Sequence, residues 1–570
     1  MANLQINPEP ARKKIIPFAM AVANTIIKDL RIVELINETV TWDRSHWNIS
    51  PGGLVKMLIL GTFTDIRIPL TRLPERLADI DRAYFLDPED KSDFVNESNV
   101  GEALDRIGET NFDRLYETIA LSAIQQYNIP VERMHGDTTT ISFYGDYDLD
   151  KLDLTDTEKE ALLHIEQGYN KDGRPKCNQV VVGQIVNEHG IPIISQTMNG
   201  ATSDIAWNRE AINYLTRLKE IGFSQGIFVA DCKLVTEPHI TKMNDPDTRI
   251  EFVSRCPANF QNRLEHRTIA KAYATDQWTT IGAVTESENA TQYRSVSFIE
   301  EICGAPMRLL VLESDTLQNK AEQAIEKKKV ALAPLIQALE NKHWECQPDA
   351  EQECKRFLAI KELKLFDCEV QIEKQTEEKW PRGRRSADTK PIIKETYHLK
   401  VTKIARSESA CQEFLQRETC FVLISNVTDD ISDADLLKIY KGQQVVENSF
   451  RALKSPQLAS VIYLKDQTRI QVLTMLLTLS LLIRALIQHR MRDGLKAYQE
   501  THPGETIRAG WGGRILKAPT YKLFYEHSIN CYFEQETEGQ YSFAWPSVAT
   551  QSRVELLLVF MGLSLEQLMQ

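Results

Sequence analysis

An α/β core, in which a mixed sheet is flanked by helices and interrupted by a mixed α+β insertion, is the fold class this sequence predicts, with an all-helical segment ahead of it. Three observations predict it. Residues 1 to about 130 carry helical periodicity; the pattern switches to strand alternation in RMHGDTTTISFYG; and a short apolar run, GIFVA, stands between a helical stretch and a polar residue, Asp231.

The elements follow in order. LRIVELINETV is amphipathic, and Ser50-Pro51 is a cap and first-turn pair opening GGLVKMLILGTF. A second helical stretch is expected from about Asn99 to Tyr127. Alternation then sets Asp137, Thr139, Ile141 and Phe143 on one face of a strand. QVVVGQIV and IPIISQTM flank NEHG, whose Gly190 suits a hairpin, and Ser203 and Asp204 are candidate caps for the covering helix IAWNREAINYLTRLKEIG. GIFVA reads as a strand buried on both faces, with Asp231 just beyond its carboxyl end, where α/β sheets place their chemistry. The order strand, strand, strand, helix, strand is that of a ribonuclease-H-like core.

From about 245 to 425 the rhythm is mixed, with strands at IEFVSR, RSVSFIE, MRLLVLES, KETYHLKVTKIA and CFVLISN and a long helix at DTLQNKAEQAIEKKKVALAPLIQALEN. At 570 residues the chain has room for about three to four structural units. The divisions expected are a helical N-terminal segment at 1–130, a first part of the α/β core at 131–240, an insertion at 241–428, a second part of the core at 429–495 and a C-terminal region at 496–570.

Composition narrows the classes. Apolar residues at 42% and charged residues at 26% are globular values. The ten cysteines are scattered without zinc-type spacing, which suits reduced thiols in a cytoplasm, and no secretion signal is expected. The apolar run Val472–Ile483 is shorter than a membrane span of about 20 residues and reads as a buried core helix. GxxxxGK[ST], GxGxxG and HExxH do not occur, which sets aside the nucleotide and metalloprotease classes those motifs mark. A net charge of −13 weighs against a nucleic-acid partner but does not report local patches. Lys327 to Lys329 and Arg382, Arg384 and Arg385 form two such patches, each equally well read as a solvated helix face or a basic loop.

Phosphodiester cleavage by two divalent metals needs hard oxygen ligands converging from different elements. Asp137 on the first strand and Asp231 after the fourth lie on strands that are neighbours in this order, and Glu447 on a helix packed across the sheet is the candidate third. In YKGQQVVENSFRALK, Tyr440, Glu447 and Lys454 are spaced by sevens, which on one helix leaves them within about 20° of each other per step. Arg451 follows on nearly the same face, while Val445, Val446, Phe450 and Leu453 point to the core.

That stretch resembles the signature of a group of insertion-sequence DDE transposases: Tyr, two residues, Arg, three residues, Glu, six residues, Lys. The chain has Tyr440, Glu447 and Lys454 in place and Gln443 where the family has Arg; Gln443 keeps a hydrogen-bond donor, and Arg451 supplies charge. HGDTTTISFYGDY, GYNKDGRPKCNQVVVG and IFVADCKLVTEPHI resemble the family's two aspartate segments and what lies between them, and LRIVELINETVTWDRSHWNISPGGLVKMLIL resembles its helical N-terminal domain. The resemblance implies binding to terminal inverted repeats, metal-dependent hydrolysis at the ends and transfer of the 3′-hydroxyl ends to target DNA. It implies two Mg²⁺ ions, replaceable by Mn²⁺, on Asp137, Asp231 and Glu447, and DNA contacts from Tyr440, Gln443, Arg451 and Lys454. It further implies a homodimer on double-stranded DNA in a prokaryotic cytoplasm, and no membrane.

Other residues have plainer readings. His135 is structural or positioning, Arg174 and Lys176 are DNA contacts or surface-loop residues, and Trp278, Trp344 and Trp380 are core residues before they are base-holding aromatics. Two alternatives remain at this point: a ribonuclease-H-like metal-dependent nuclease, and a catalytically inactive DNA-binding descendant.

Overall fold

A computed structural model describes residues 13–64, 72–151, 153–223, 226–285, 290–380, 382, 390–429, 431–455, 464, 466–508, 513–537 and 539–569. The chain is a mixed α/β protein made of two compact units, one formed by residues 1–234, 242–251 and 439–570 and the other by 235–241 and 252–438.

The first unit carries the four-stranded arrangement that the sequence pattern predicts. Strands β1 (Arg133–Phe143), β2 (Asn178–Asn187), β3 (Pro192–Met198) and β4 (Ile227–Ala230) lie in the order β3-β2-β1-β4. β2 is antiparallel to both β1 and β3, whereas β4 runs parallel to β1. The hairpin between β2 and β3 turns on Asn187, whose side-chain oxygen accepts from the N–H groups of His189 and Ile191, and on Gly190 at φ 79°.

Helix α1 (Asp204–Glu220) enters from Ser203, whose hydroxyl accepts from the Ala206 N–H, and covers one face of this sheet. Its Trp207 is 1% exposed and lies over Gly183 of β2, where a Cβ would overlap the indole. Glycine is what lets the helix approach so closely. On the opposite face helix α2 (Gln444–Leu453) packs Val446 and Phe450 against Val186. Its apolar stripe, Val446, Phe450 and Leu453, is the one the spacing predicts.

Around this sheet the same unit is helical. Pro51–Gly61 begins with the expected Ser50 cap, which accepts from the Gly53 N–H. The stretch expected as one helix from Asn99 to Tyr127 is two, Glu97–Gly108 and Phe112–Gln126. The first ends at Gly108 with Glu109 as its C-cap, and Asn111 caps the second by accepting from the Arg114 N–H, so a local stop and start overrides the shared periodicity. Helix α3 (Gln467–Thr501) extends well beyond the apolar run; its most apolar window has mean hydropathy 2.1, long and apolar enough to span a bilayer, yet 89% of that window is buried against the rest of the unit. This is a core helix. The N-terminal strand Ile15–Pro17 pairs with Tyr532–Thr537 of a C-terminal hairpin, which ties the two chain ends together.

The second unit contains antiparallel strands ordered Phe252–Arg255, Cys420–Ser425, Ala305–Ser314, Gln292–Ile302, Thr279–Ala283. A long hairpin, Phe366–Lys379 with Ile392–Arg406, is joined at one edge by His343–Trp344. The strand at 366–379 was not expected, because EVQIEKQTEEK is dominated by charge that an exposed ribbon tolerates.

Gly183→Ala is expected to cost about 1–3 kcal/mol by forcing Trp207 outward. Urea denaturation reads this as a lower midpoint at unchanged slope, and the added change Trp207→Leu is expected to recover part of the loss.

Candidate active site

β1 pairs with β4 only through Arg133↔Ile227, Met134↔Phe228 and His135↔Val229. β4 stops at Ala230. Carried two residues further, that register sets Asp137 level with Asp231, one on a continuing strand and the other in the turn where its neighbour has ended. From there the Asp231 carboxylate accepts from the Lys233 N–H at 3.0 Å and makes a side-chain hydrogen bond with Asn208 of α1. Asp137 accepts from the Thr138 N–H at 2.7 Å.

Lys171 and Asp204 complete this cluster. Lys171 places its ammonium 3.5 Å from Asp137 Oδ1 and 3.1 Å from Asp204 Oδ1, and donates to the Thr138 hydroxyl at 2.6 Å and the Thr138 carbonyl at 3.0 Å. Asp204, expected to cap α1, leaves that task to Ser203 and accepts from the Thr138 hydroxyl at 2.5 Å instead. A cleft of about 500 Å³, lined by Thr138, Thr140, Lys171, Asp204 and Lys233 among others, opens beside them.

The electrostatics follow from burial. Loss of solvent pushes the Asp137 carboxyl above its ordinary range; Lys171 and the Thr138 N–H pull it back, and repulsion from Asp231 and Asp204 adds to the rise. Burial also raises Asp231, with Lys233 N–H opposing and the Asp204 charge reinforcing. For Lys171, burial alone favours the neutral amine, but Asp137, Asp204 and Asp231 outweigh it and hold the ammonium above its usual value. Three carboxylates thus share one ammonium. Hard oxygen donors with a deficit of positive charge suit a divalent cation in their chemistry, though not yet in their spacing.

Glu447 is not gathered with them. It is exposed on α2, and among the described residues no three His, Cys, Asp or Glu side chains converge at metal-binding spacing. The single helical face expected for Tyr440, Glu447 and Lys454 is likewise corrected. Tyr440 belongs to a preceding helix, Asp433–Lys441, and the chain breaks at Gly442 and Gln443 before α2 starts. There the N–H groups of Gly442, Gln443, Val445 and Val446 each bond to the carbonyl three residues earlier. The His135 ring occupies the space beside the break: a Cβ on Gly442 would stand 2.9 Å from it. His135 is 1% exposed, its Nδ1 has no hydrogen-bond partner, and burial, helped by Arg133, lowers its pKa to about 4, so it is a neutral packing residue.

The remaining predicted residues separate along this break. Gln443 stands at the start of α2 and Arg451 is exposed, donating to Asn448 at 2.9 Å. Lys454, the C-cap of α2, reaches Asp172 at 2.6 Å, next to Lys171. Arg174 is exposed beside the Tyr144 hydroxyl, Lys176 is exposed, Trp344 packs in the second unit's core, Trp278 is half-buried under the Arg294 guanidinium, and Trp380 is 44% exposed. Lys327 to Lys329 lie on an exposed helix face. Arg382 is exposed, while Arg384 and Arg385 fall outside the described residues.

Comparison with known proteins adds the following. A family model described as a domain of unknown function, DUF4277, matches residues 16–121. No curated protein matches the sequence. Among solved structures, the cryo-EM structure of a piggyBac transposase synaptic complex with hairpin DNA is similar at a TM-score of 0.37 and 9% identity, covering 91% of this chain and 82% of that one.

The upward shifts of Asp137 and Asp231 predict a pH signature. A carboxyl raised in the folded state binds its proton more tightly there than in the unfolded chain, so without metal its ionisation costs stability as pH climbs from about 4 through the raised value. Asp137→Asn is therefore expected to raise the melting temperature in chelator at pH 8 by a few degrees, with the advantage vanishing at pH 4. A variant no more stable than the parent at pH 8 would contradict the cluster's electrostatics.

Proposed function

We propose that this protein is a DNA transposase of the DDE type, which binds the terminal inverted repeats of an insertion sequence, cleaves the ends by metal-dependent hydrolysis and joins the 3′-hydroxyl ends to target DNA. The observation that carries this reading is the level placement of Asp137 and Asp231, half-buried and short of positive charge, where β4 ends beside a continuing β1. Support comes from the sequence resemblance at HGDTTTISFYGDY, IFVADCKLVTEPHI and YKGQQVVENSFRALK, and from the strand order β3-β2-β1-β4 with a helix before β4, the arrangement of a ribonuclease-H-like core.

On this reading Asp137 and Asp231 hold Mg²⁺, with Glu447 contributed from α2 when DNA and metal are bound. A divalent cation held there would supply the chemistry of lowering the pKa of a water nucleophile and offsetting charge on the departing 3′ oxygen. The protein's own part is positioning. The Lys233 N–H and Asn208 orient Asp231, and the Thr138 N–H orients Asp137, so neither carboxylate has to reorganise on binding a cation. Lys171 opposes the rise that burial imposes on both carboxyls. Tyr440, Gln443, Arg451 and Lys454 contact the DNA backbone, with Arg451 and Lys454 supplying charge in place of the family's arginine. Two ends joined at one time call for a homodimer on double-stranded DNA.

Asp137→Asn, Asp231→Asn and Glu447→Gln are each expected to lower Mg²⁺-dependent nicking of a terminal-repeat duplex on the order of a thousandfold or more, with gel-shift affinity for the same duplex largely kept. Unchanged nicking in Glu447→Gln would remove that residue from the site, and cleavage without end joining would favour the nuclease reading.

A further inference from the structure

On a flank of α2 away from the carboxylate cluster, the first unit has a second, half-open cavity of about 230 Å³ between α2, α3, the β2–β3 turn and the helix Tyr521–Ser528. Two guanidiniums line it. Arg484 is 8% exposed, its Cζ held 5.3 Å from the Phe63 ring and 5.1 Å from the Tyr521 ring, and one of its terminal nitrogens donates to the Thr62 carbonyl at 2.6 Å. Arg492, one further along α3, donates from Nε to the Pro519 carbonyl at 3.0 Å. Among the described residues neither makes an ion pair with a carboxylate. Glu188, the single acidic residue in the lining, instead accepts from the backbone N–H groups of Glu132 and Arg133 at 3.1 and 3.2 Å.

Hydrogen-bonding groups are left over at the same place. Arg484 Nε, the Tyr521 hydroxyl and His189 Nε2 are all buried and have no hydrogen-bond partner. A buried cation without a counter-ion and three unpaired polar groups each cost stability, and natural proteins offset such costs with a partner. The missing partner is negatively charged and accepts several hydrogen bonds. Guanidinium forks match phosphate oxygens, and at about 30 Å³ per liquid water the cavity holds an anion of several heavy atoms.

We propose that this cavity binds a phosphate-class oxyanion, held by Arg484 and Arg492 with Tyr521 and His189 donating. The site is independent of the carboxylate cluster. Two sources share the chemistry, free phosphate and a phosphate of DNA.

The test uses the full chain and inorganic phosphate, titrated calorimetrically and followed by thermal denaturation against chloride at equal ionic strength. Phosphate is expected to release or absorb heat with saturation and to raise the melting temperature above the chloride control. Arg492→Gln is expected to weaken phosphate binding about tenfold or more, about 1.4 kcal/mol per tenfold. Ala452→Glu, which puts a carboxylate into the lining from α2, is expected to abolish the phosphate response while keeping or raising stability in chloride. Displacement of phosphate by a short 5′-phosphorylated duplex assigns the site to DNA, and persistence of phosphate binding in its presence assigns it to the free ion. No heat and no shift above chloride in the wild-type chain, or phosphate binding unchanged in both variants, overturns the proposal.

Discussion

The parallel pairing of β1 with β4, and its end at Val229, is the constraint on which the rest of the first unit depends. All four residues of β4 are buried, so the strand must be covered, and α1 covers the sheet with Trp207 seated in the space that Gly183 leaves. Because β1 continues eight residues past its last partner on β4, His135, one of its edges is open from Gly136 onward. An open edge beside an ended strand gives a concave place with backbone groups exposed to it. Lys171 fills part of that place and satisfies the Thr138 carbonyl, and the aspartates stand at its rim.

Charge then does what the backbone arrangement allows. Asp137, Asp204 and Asp231 come from a strand, a helix start and a turn, so no single element's stability depends on keeping them apart. Their mutual repulsion is stored against the sheet and α1, and Lys171 is one cation among three anions. The folded scaffold thus carries a repulsion among carboxylates that Lys171 offsets only in part.

What was legible in the sequence was what depends on local pattern. The β1 alternation, the Asn187–Gly190 turn, the Ser50 and Ser203 caps and the burial of Val446, Phe450 and Leu453 all follow from neighbours a few residues away. The adjacency of Asp137 and Asp231 was legible as well, because it follows from strand order. The break at Gly442 was not: spacing by sevens counts residues, and the His135 ring that sits against Gly442 comes from more than 300 positions earlier. Lys171 was passed over for Arg174 and Lys176 because all three stand in one polar turn, and only tertiary structure tells the cation that turns inward from those that turn out. Asp204 was hidden by a good local explanation, since an acidic residue at a helix start has a reason to be there whether or not it faces a site.

Helix α2 joins these features. Its Ser449 hydroxyl donates to the Gln184 side-chain oxygen at 2.8 Å, and Gln184 is the residue directly across β2 from Asp137. Its end is held by Lys454 on Asp172, and its beginning is a turn with three-residue hydrogen bonds rather than a continuous helix. The Lys454–Asp172 pair is partly solvated and contributes little, about 0–1 kcal/mol. The apolar contacts to Val186 and the buried Ser449–Gln184 bond are the stronger attachments. The helix is therefore fixed along its sheet-facing side, and Glu447 stands exposed in its first turn, close to the break at Gly442 and Gln443. A movement of Glu447 by way of the turn at Gly442 and Gln443 would leave the packing beneath α2 in place, because Val446, Phe450 and Ser449 are held on the face that meets the sheet.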